Sequence, residues 1–181
     1  MNDVITKTID KYYRKKDLSE YLSKCQKVFF LPEEVKDFIE NNNISITEMN
    51  NGEIWPSSSI IFEYEKYIKG EFEVIYNSRL MISKIAPVFY IHHEFEVVNK
   101  DVNGINPTLD GFDTQPYNYI QAELELLVKN YFIEKEFTQL SFREMNEVVS
   151  ELEFSKGITF FGSQVTVEHA LFFDILDICP E

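Results

Sequence analysis

FEVIYNSRLMISKIAPVFYIHHEFEVV, residues 72–98, decides the fold. Phe72, Val74 and Tyr76 alternate with Glu71, Glu73 and Ile75, the two-residue period of a strand that turns one face inward. Arg79–Ile85 and Val88–Val98 follow at short spacing and are rich in aromatic and β-branched residues. Upstream, Gly70 punctuates and Ile60–Tyr67 is a further strand. Earlier still, Ile44, Ile46 and Met49 alternate with polar residues. Asn50-Asn51-Gly52 is a hairpin signal, and Glu53–Trp55 begins a return strand that Pro56 breaks. A meandering antiparallel sheet of roughly four to six strands over 44–98 is therefore predicted.

Helical periods flank the sheet. Val4, Ile5, Ile9, Tyr12 and Tyr13 fall near helical spacing. Asp17 stands three residues before Glu20, a capping box for a second helix with Leu18, Tyr21, Leu22 and Cys25 inside. Val28–Leu31 is too apolar for a loop. Pro32 suits a helix first turn, with Glu33 and Glu34 at its positive end and Val35, Phe38 and Ile39 on its inner face. Residues 99–116, rich in Asn, Asp, Gly and Pro, read as one long loop. Tyr117–Phe132 reads as helix, with Ile120, Leu124, Leu127, Val128 and Tyr131 as its stripe and Glu125–Lys129 as an i,i+4 pair. Ser141 and Glu144 form another capping box. It opens a helix that reaches 153, with Phe142, Met145, Val148, Val149 and Leu152 inside. Gly157–Phe161 resumes strand character, and 164–178 fits strand or helix. The expected class is α+β: N-terminal helices, a central antiparallel meander, and C-terminal helices packed on one face. Residues 1–181 form a single domain in which 1–30 is a helical arm, 44–98 the sheet and 117–153 the later helices.

Charge narrows the partners. The chain carries 17 basic and 31 acidic residues, net −14. Residues 1–30 hold 7 basic and 4 acidic side chains, so the remainder stands at −17. Such a field repels nucleic-acid phosphates and anionic membranes and attracts basic partners, besides keeping the chain soluble. Lys7, Lys11, Arg14, Lys15 and Lys16 with Tyr12 and Tyr13 make a local basic patch, expected to pack on the acidic body. Met1–Asp10 has no apolar h-region and no long apolar run occurs, so a cytoplasmic protein without nucleic-acid or membrane partners is expected. Cys25 and Cys179 read as two free thiols.

Few motifs carry chemistry. GxSxG, GxGxxG and GxxxxGK[ST] are absent. His92 shares a strand face with Tyr90, Glu94 and Glu96, whereas His93 faces inward with Phe89, Ile91, Phe95 and Val97. His92 with Glu94 or Glu96 is the pairing a small hydrolase would use, and two such ligands fall short of a metal site. Asn99, Asp101, Asn103, Gly104 and Asp110 fit positions of a calcium loop. Asn at its first position, Pro107 at its ninth and Asp at its twelfth depart from that pattern. His169 has no defined partner. No metal and no cofactor are expected.

On the helix expected from Ser141, Glu144, Glu147 and Glu151 fall on one face, like charges at i,i+3 and i,i+4 that repel one another. A basic partner turns that repulsion into attraction. The strand run Phe72–Val98, the acidic segment Glu123–Glu153 and the aromatic-rich end Thr159–Asp177 together resemble the immunity proteins of bacterial polymorphic toxin systems. The resemblance implies a small, cytosolic α+β protein that binds and blocks a cognate toxin domain. The leading expectation is a stoichiometric inhibitor, not an enzyme, docking a basic protein through Glu144, Glu147 and Glu151, helped by Glu123, Glu125, Asp110 and Asp113. The alternatives are the His92 hydrolase and a scaffold subunit with exposed Phe and Tyr anchors. Oligomeric state stays open.

Overall fold

In the computed structural model, residues 2–104, 109–158 and 164–180 are described. The chain opens with α1 (Asp3–Ile9), which runs on into a π-helical segment Asp10–Arg14, then α2 (Leu18–Cys25) and α3 (Glu33–Asn41). The strands β1 (Ser45–Met49), β2 (Ser57–Glu63), β3 (Tyr67–Lys69), β4 (Phe72–Ser83), β5 (Val88–Asn99) and β6 (Leu109–Asp113) follow. Then come α4 (Tyr119–Glu134), β7 (Thr138–Gln139), α5 (Phe142–Met145) and α6 (Val167–Phe172). The class is α+β, as expected from the alternating stretch. No described helix is long and apolar enough to cross a membrane.

The sheet runs β1-β2-β4-β5-β6, and every neighbour in that order is antiparallel. Residues 72–83 form one strand rather than two. Asn77, Ser78 and Arg79 pair with β2 on one side and β5 on the other, so the polar interruption costs no backbone bonds. β3 pairs with the start of β4 across the Gly70-Glu71 turn. Gly70 takes φ +62°, open to glycine at no steric cost, and stands first in the two-residue turn that suits strand twist. Next to this hairpin the expected facing is reversed: Glu73 is buried and Phe72 exposed. Lys66 Nζ (2.6 Å) and Lys100 Nζ clamp Glu73, so a paired carboxylate takes the inward place. β7 adds a two-residue parallel pairing to β5.

Both faces of the sheet are covered. Ile60, Phe62, Leu80, Ile82, Phe89 and Ile91 pack under α3 and α4 through Val35, Ile39, Leu124, Val128 and Phe132. Met81, Val88 and Tyr90 point the other way and meet Ile5, Ile9, Tyr12, Tyr13, Tyr21, Leu171 and Phe172. Double coverage is why Leu80–Ile82 and Val88–Ile91 are continuous apolar runs. The later helices divide between the faces, α4 on the first and α5 with α6 on the second. Residues 1–30 are not a loose arm: Tyr13 donates its hydroxyl to the Ala170 carbonyl at 2.5 Å, and α1 and α2 fill the second core.

Several expectations need correction. The helix from Ser141 stops at Met145. Asn146 caps the Phe142 carbonyl, and the chain beyond it bridges to 165–167: Val149 N–H donates to Val165 O and Val167 N–H to Glu147 O. That pairing buries Val149 against the sheet and overrides the helical period. The 99–116 loop contains β6 and shares its first residue with β5. Val28–Leu31 has no regular structure: Leu31 is buried, Phe30 is exposed, and the Asn51 side chain bonds both Phe29 backbone groups. Asn50-Asn51-Gly52 opens a longer loop that reaches Pro56 rather than a tight turn. In α4 the buried stripe is Gln121, Leu124, Val128 and Phe132; of the expected stripe, Leu124 and Val128 are buried, Leu127 and Tyr131 pack partly buried against the same core, and Ile120 is exposed. The expected strand at Gly157–Phe161 lies mostly outside the described residues.

Candidate functional site

Strand alternation on β5 puts Tyr90, His92, Glu94 and Glu96 on the second face. The register pairs Glu94 with Phe112 and Glu96 with Asp110 on β6, and Arg79 of β4 with His92. Above them stand α5, opened by the Ser141–Glu144 capping box, and the first turn of α6, opened by Thr166. These elements enclose a cleft of ≈ 340 Å³ whose wall includes Tyr90, His92, Glu94, Phe112, Phe142 and Glu168.

Phe112 is the meeting point of three hollows. The second, ≈ 330 Å³, is lined by Glu94, Glu96, Asp110 and Phe95 among others. The third, ≈ 240 Å³, lies between Phe112, Asp113, Thr114 and Phe142. Among the described residues five carboxylates line the three, and no lysine or arginine does. Phe112 and Phe142 are 58 % and 50 % exposed. Their ring centroids are 5.7 Å apart, and Phe112 also meets the His92 ring at 5.9 Å. Gly111 sits under Phe95, where a Cβ would come within 2.8 Å of the ring. Strand alternation then turns the next residue, Phe112, to the cleft face opposite Glu94.

The polar groups of the cleft are unevenly satisfied. His92 Nε2 donates to Glu94 Oε1 at 2.8 Å, and Arg79 Nε stands 3.9 Å from the same oxygen. The His92 bond, foremost, holds the Glu94 carboxyl below the usual range against the cost of burial. Glu168 is shifted the other way: burial pushes its carboxyl up, and His92 and Arg79 only partly oppose this. Tyr90 is 4 % exposed. Burial, then the charges of Glu168 and Asp113, push its phenol up to about 12. Neither the Tyr90 hydroxyl nor the Glu168 carboxyl has a hydrogen-bond or ion-pair partner among the described residues.

No family model matches this chain. No curated protein and no solved structure matches it either.

The residues singled out in the sequence scatter. Asp110 and Asp113 lie on β6 at the hollows. Glu144 folds back onto the Ser141 backbone and hydroxyl, bonds that hold its carboxyl low. Glu147 and Glu151 leave the helix, Glu151 in a turn at φ +65°, so the expected stripe does not form. Glu123 is exposed on α4. Glu125, on the same helix, turns inward to within 3.5 Å of the buried His93 Nε2. Glu96 is exposed and lines the neighbouring hollow, whereas His92 and Glu94 share the cleft. His169 does have a partner: its Nδ1 accepts from the Thr166 backbone N–H at 3.1 Å as part of the α6 cap, and burial lowers its pKa. Asn99 and Asp101 spend side-chain oxygens on Asx turns to Asp101 N and Asn103 N. Among the described residues no group of three His, Cys, Asp or Glu side chains is placed to hold a metal. Pro107 lies outside the described residues.

Tyr90, Phe112, Phe142 and Glu168 were not singled out by sequence. Phe112 had no strand signal: Leu109 and Phe112 stand three apart rather than two, inside a run of turn-forming residues. Glu168 sits in Thr166-Val-Glu-His169, a helix-opening pattern with His in the place of Glu.

Proposed function

We propose that this chain is a stoichiometric binding protein that docks a basic protein on the β6 edge, in keeping with the immunity-type inhibitor its sequence resembles. The observation that carries the reading is the Phe112–Phe142 pair, two half-exposed rings at the junction of three hollows whose described lining holds five carboxylates and no lysine or arginine. Aromatic anchors inside a polar rim are where binding energy concentrates in interfaces. A rim of one sign speeds encounter with a partner of the other. β6 pairs only with β5 among the described residues, so its outer edge also offers backbone groups to an added strand. The surface differs from the one expected on the helix from Ser141, while the chemistry of the partner is the same. The test is a low-salt pull-down from the native cell with wild type and with Phe112→Ala/Phe142→Ala. A basic protein retained one-to-one by wild type, released by salt and lost from the double variant, supports the reading. Equal recovery by both proteins sinks it.

A second reading is favoured by the opposite shifts of Glu94 and Glu168 in one concave cleft. Carboxyls pushed apart in pKa supply a base and an acid at one pH. A hydrolase would use Glu168 as general acid and the His92–Glu94 pair as base. Turnover of an ester, glycoside or phosphoester panel, abolished by His92→Ala, is its expected outcome. A panel with no hydrolysis above buffer removes it.

A further inference from the structure

We propose that the cleft between β5, β6, α5 and α6 receives a single arginine side chain of the docked partner. The inference rests on the docking reading and assigns its anchor.

The argument starts from what the cleft leaves unsatisfied. His92 spends its Nε2–H on Glu94 Oε1, and Arg79 faces the same oxygen. Glu94 Oε2, the Glu168 carboxylate and the Tyr90 hydroxyl oxygen remain as acceptors without a bond among the described residues. Tyr90 is the independent sign of a ligand. A phenol on a side chain only 4 % exposed normally finds a partner; this one has none among the described residues, and its hydroxyl is not sealed from solvent but opens on the cleft that Tyr90 lines. Water can serve an exposed carboxylate. It serves a half-buried one less well, which leaves Glu168 with a desolvation cost that a cation offsets.

The shape of the acceptor set selects the cation. Three acceptors from one strand and one helix, Tyr90 and Glu94 on β5 and Glu168 on α6, line one space, and a guanidinium carries five N–H donors in a planar fork. Phe112 and Phe142 flank the space with ring faces and edges that suit a flat, weakly hydrated cation. An ammonium has the charge but neither the plane nor the fork. At ≈ 340 Å³ the cleft stands near the lower end of ligand pockets, about 300–1,000 Å³, so it fits one side chain rather than a larger molecule.

The test is a titration of the full chain at low salt, followed by backbone NMR. The probe is an acetylated, amidated glycine peptide with one central residue: arginine, lysine or citrulline. Saturable shifts at Tyr90, His92, Phe112, Phe142 and Glu168 are expected with arginine. Lysine binds several-fold more weakly, and citrulline, isosteric and neutral, at least tenfold more weakly. Glu168→Gln and Tyr90→Phe each weaken the arginine peptide about fivefold or more while keeping a folded spectrum. Equal affinity for citrulline, shifts centred elsewhere, or an unchanged Glu168→Gln overturns the proposal. If it is overturned while Phe112→Ala/Phe142→Ala still loses the partner in the pull-down, the docking reading stands without its anchor. If the arginine peptide binds in the cleft but the pull-down fails, the docking reading falls and the proposal that a partner supplies the arginine falls with it.

Discussion

Glu96 on β5 stands directly opposite Asp110 on β6, two carboxylates in register across the outermost strand pair. Like charges so placed weaken a sheet, each pair by roughly 0.2–1 kcal/mol. Among the described residues neither carboxylate forms an ion pair, and both line the hollow beside Phe112. Asp110→Lys converts the pair to an attractive one. The variant is expected to unfold at a denaturant midpoint equal to or above that of wild type, yet to bind a basic partner more weakly and with a smaller salt dependence. Chemical denaturation and binding at two salt concentrations measure the two effects. A variant that loses stability and keeps its affinity would falsify the assignment of this edge as the docking surface.

Glu168 gives a prediction of the same kind with a pH signature. Its folded pKa lies above the ordinary glutamate value of 4.5 because burial disfavours the charge. The folded state therefore favours the protonated form. The stability tied to that proton is fully present below about pH 4.5 and is lost as pH rises through the folded value. Glu168→Gln is neutral at every pH, so it should match wild type at pH 4 and exceed it at pH 7. A gain of about 1 kcal/mol raises Tm by roughly 2–4 °C in a chain of this length. Glu94 and Glu125 run the other way, their pKa values lowered first by His92 and His93. Their contribution is present above 4.5 and lost as pH falls. A Glu168→Gln variant that melts lower than wild type at pH 7 sinks this account of the residue.

Lys84 is the opposite case, a buried charge fully engaged. Its Nζ donates to the carbonyls of Asn50 (2.7 Å), Glu53 (2.9 Å), Cys25 (3.2 Å) and Asn51 (3.3 Å). One side chain thus ties the end of α2 and the β1–β2 loop to the end of β4. Lys84→Met removes the charge with little change in volume, but leaves buried acceptors unpaired at about 1–3 kcal/mol each. A loss of at least about 3 kcal/mol is expected in chemical unfolding. A loss under about 1 kcal/mol would mean that water replaces the ammonium.

These residues show what was legible in the sequence. β4 and β5 were readable because alternation and apolar runs state burial directly, and so was the inward His93 against the outward His92. Lys84 was not, since nothing in its neighbours says that four carbonyls from two distant segments converge on it. Residues 147–151 carry a good helical period, yet Val148 bridges Thr166 in an antiparallel pairing, a contact the local pattern cannot contain. The site suffered in the same way. His92 and Glu94 share one strand face and were found. Phe142 and Glu168 reach them from segments about 50 and 75 residues further on, and only the tertiary fold brings them together.

Ser78, His93 and Glu125 have the composition of a catalytic triad and offer the last prediction. Ser78 Oγ lies 2.7 Å from His93 Nδ1, and Tyr64 Oη lies 2.8 Å from the same Oγ. Glu125 Oε2 stands 3.5 Å from His93 Nε2, a charge contact too long for a good hydrogen bond. Ser78 and His93 are fully buried under α4, and none of the hollows around Phe112 includes them. A nucleophile needs a space where a reacting carbon can sit, and this hydroxyl already bonds two partners in a packed interior. The network is therefore expected to act on stability alone. Ser78→Ala should cost about 1–3 kcal/mol by leaving buried polar groups unpaired, with no change in partner binding. A fluorophosphonate probe should leave Ser78 unmodified in the native protein, as read by mass spectrometry of the digested chain. Labelling at Ser78 under native conditions would reopen the triad as a site.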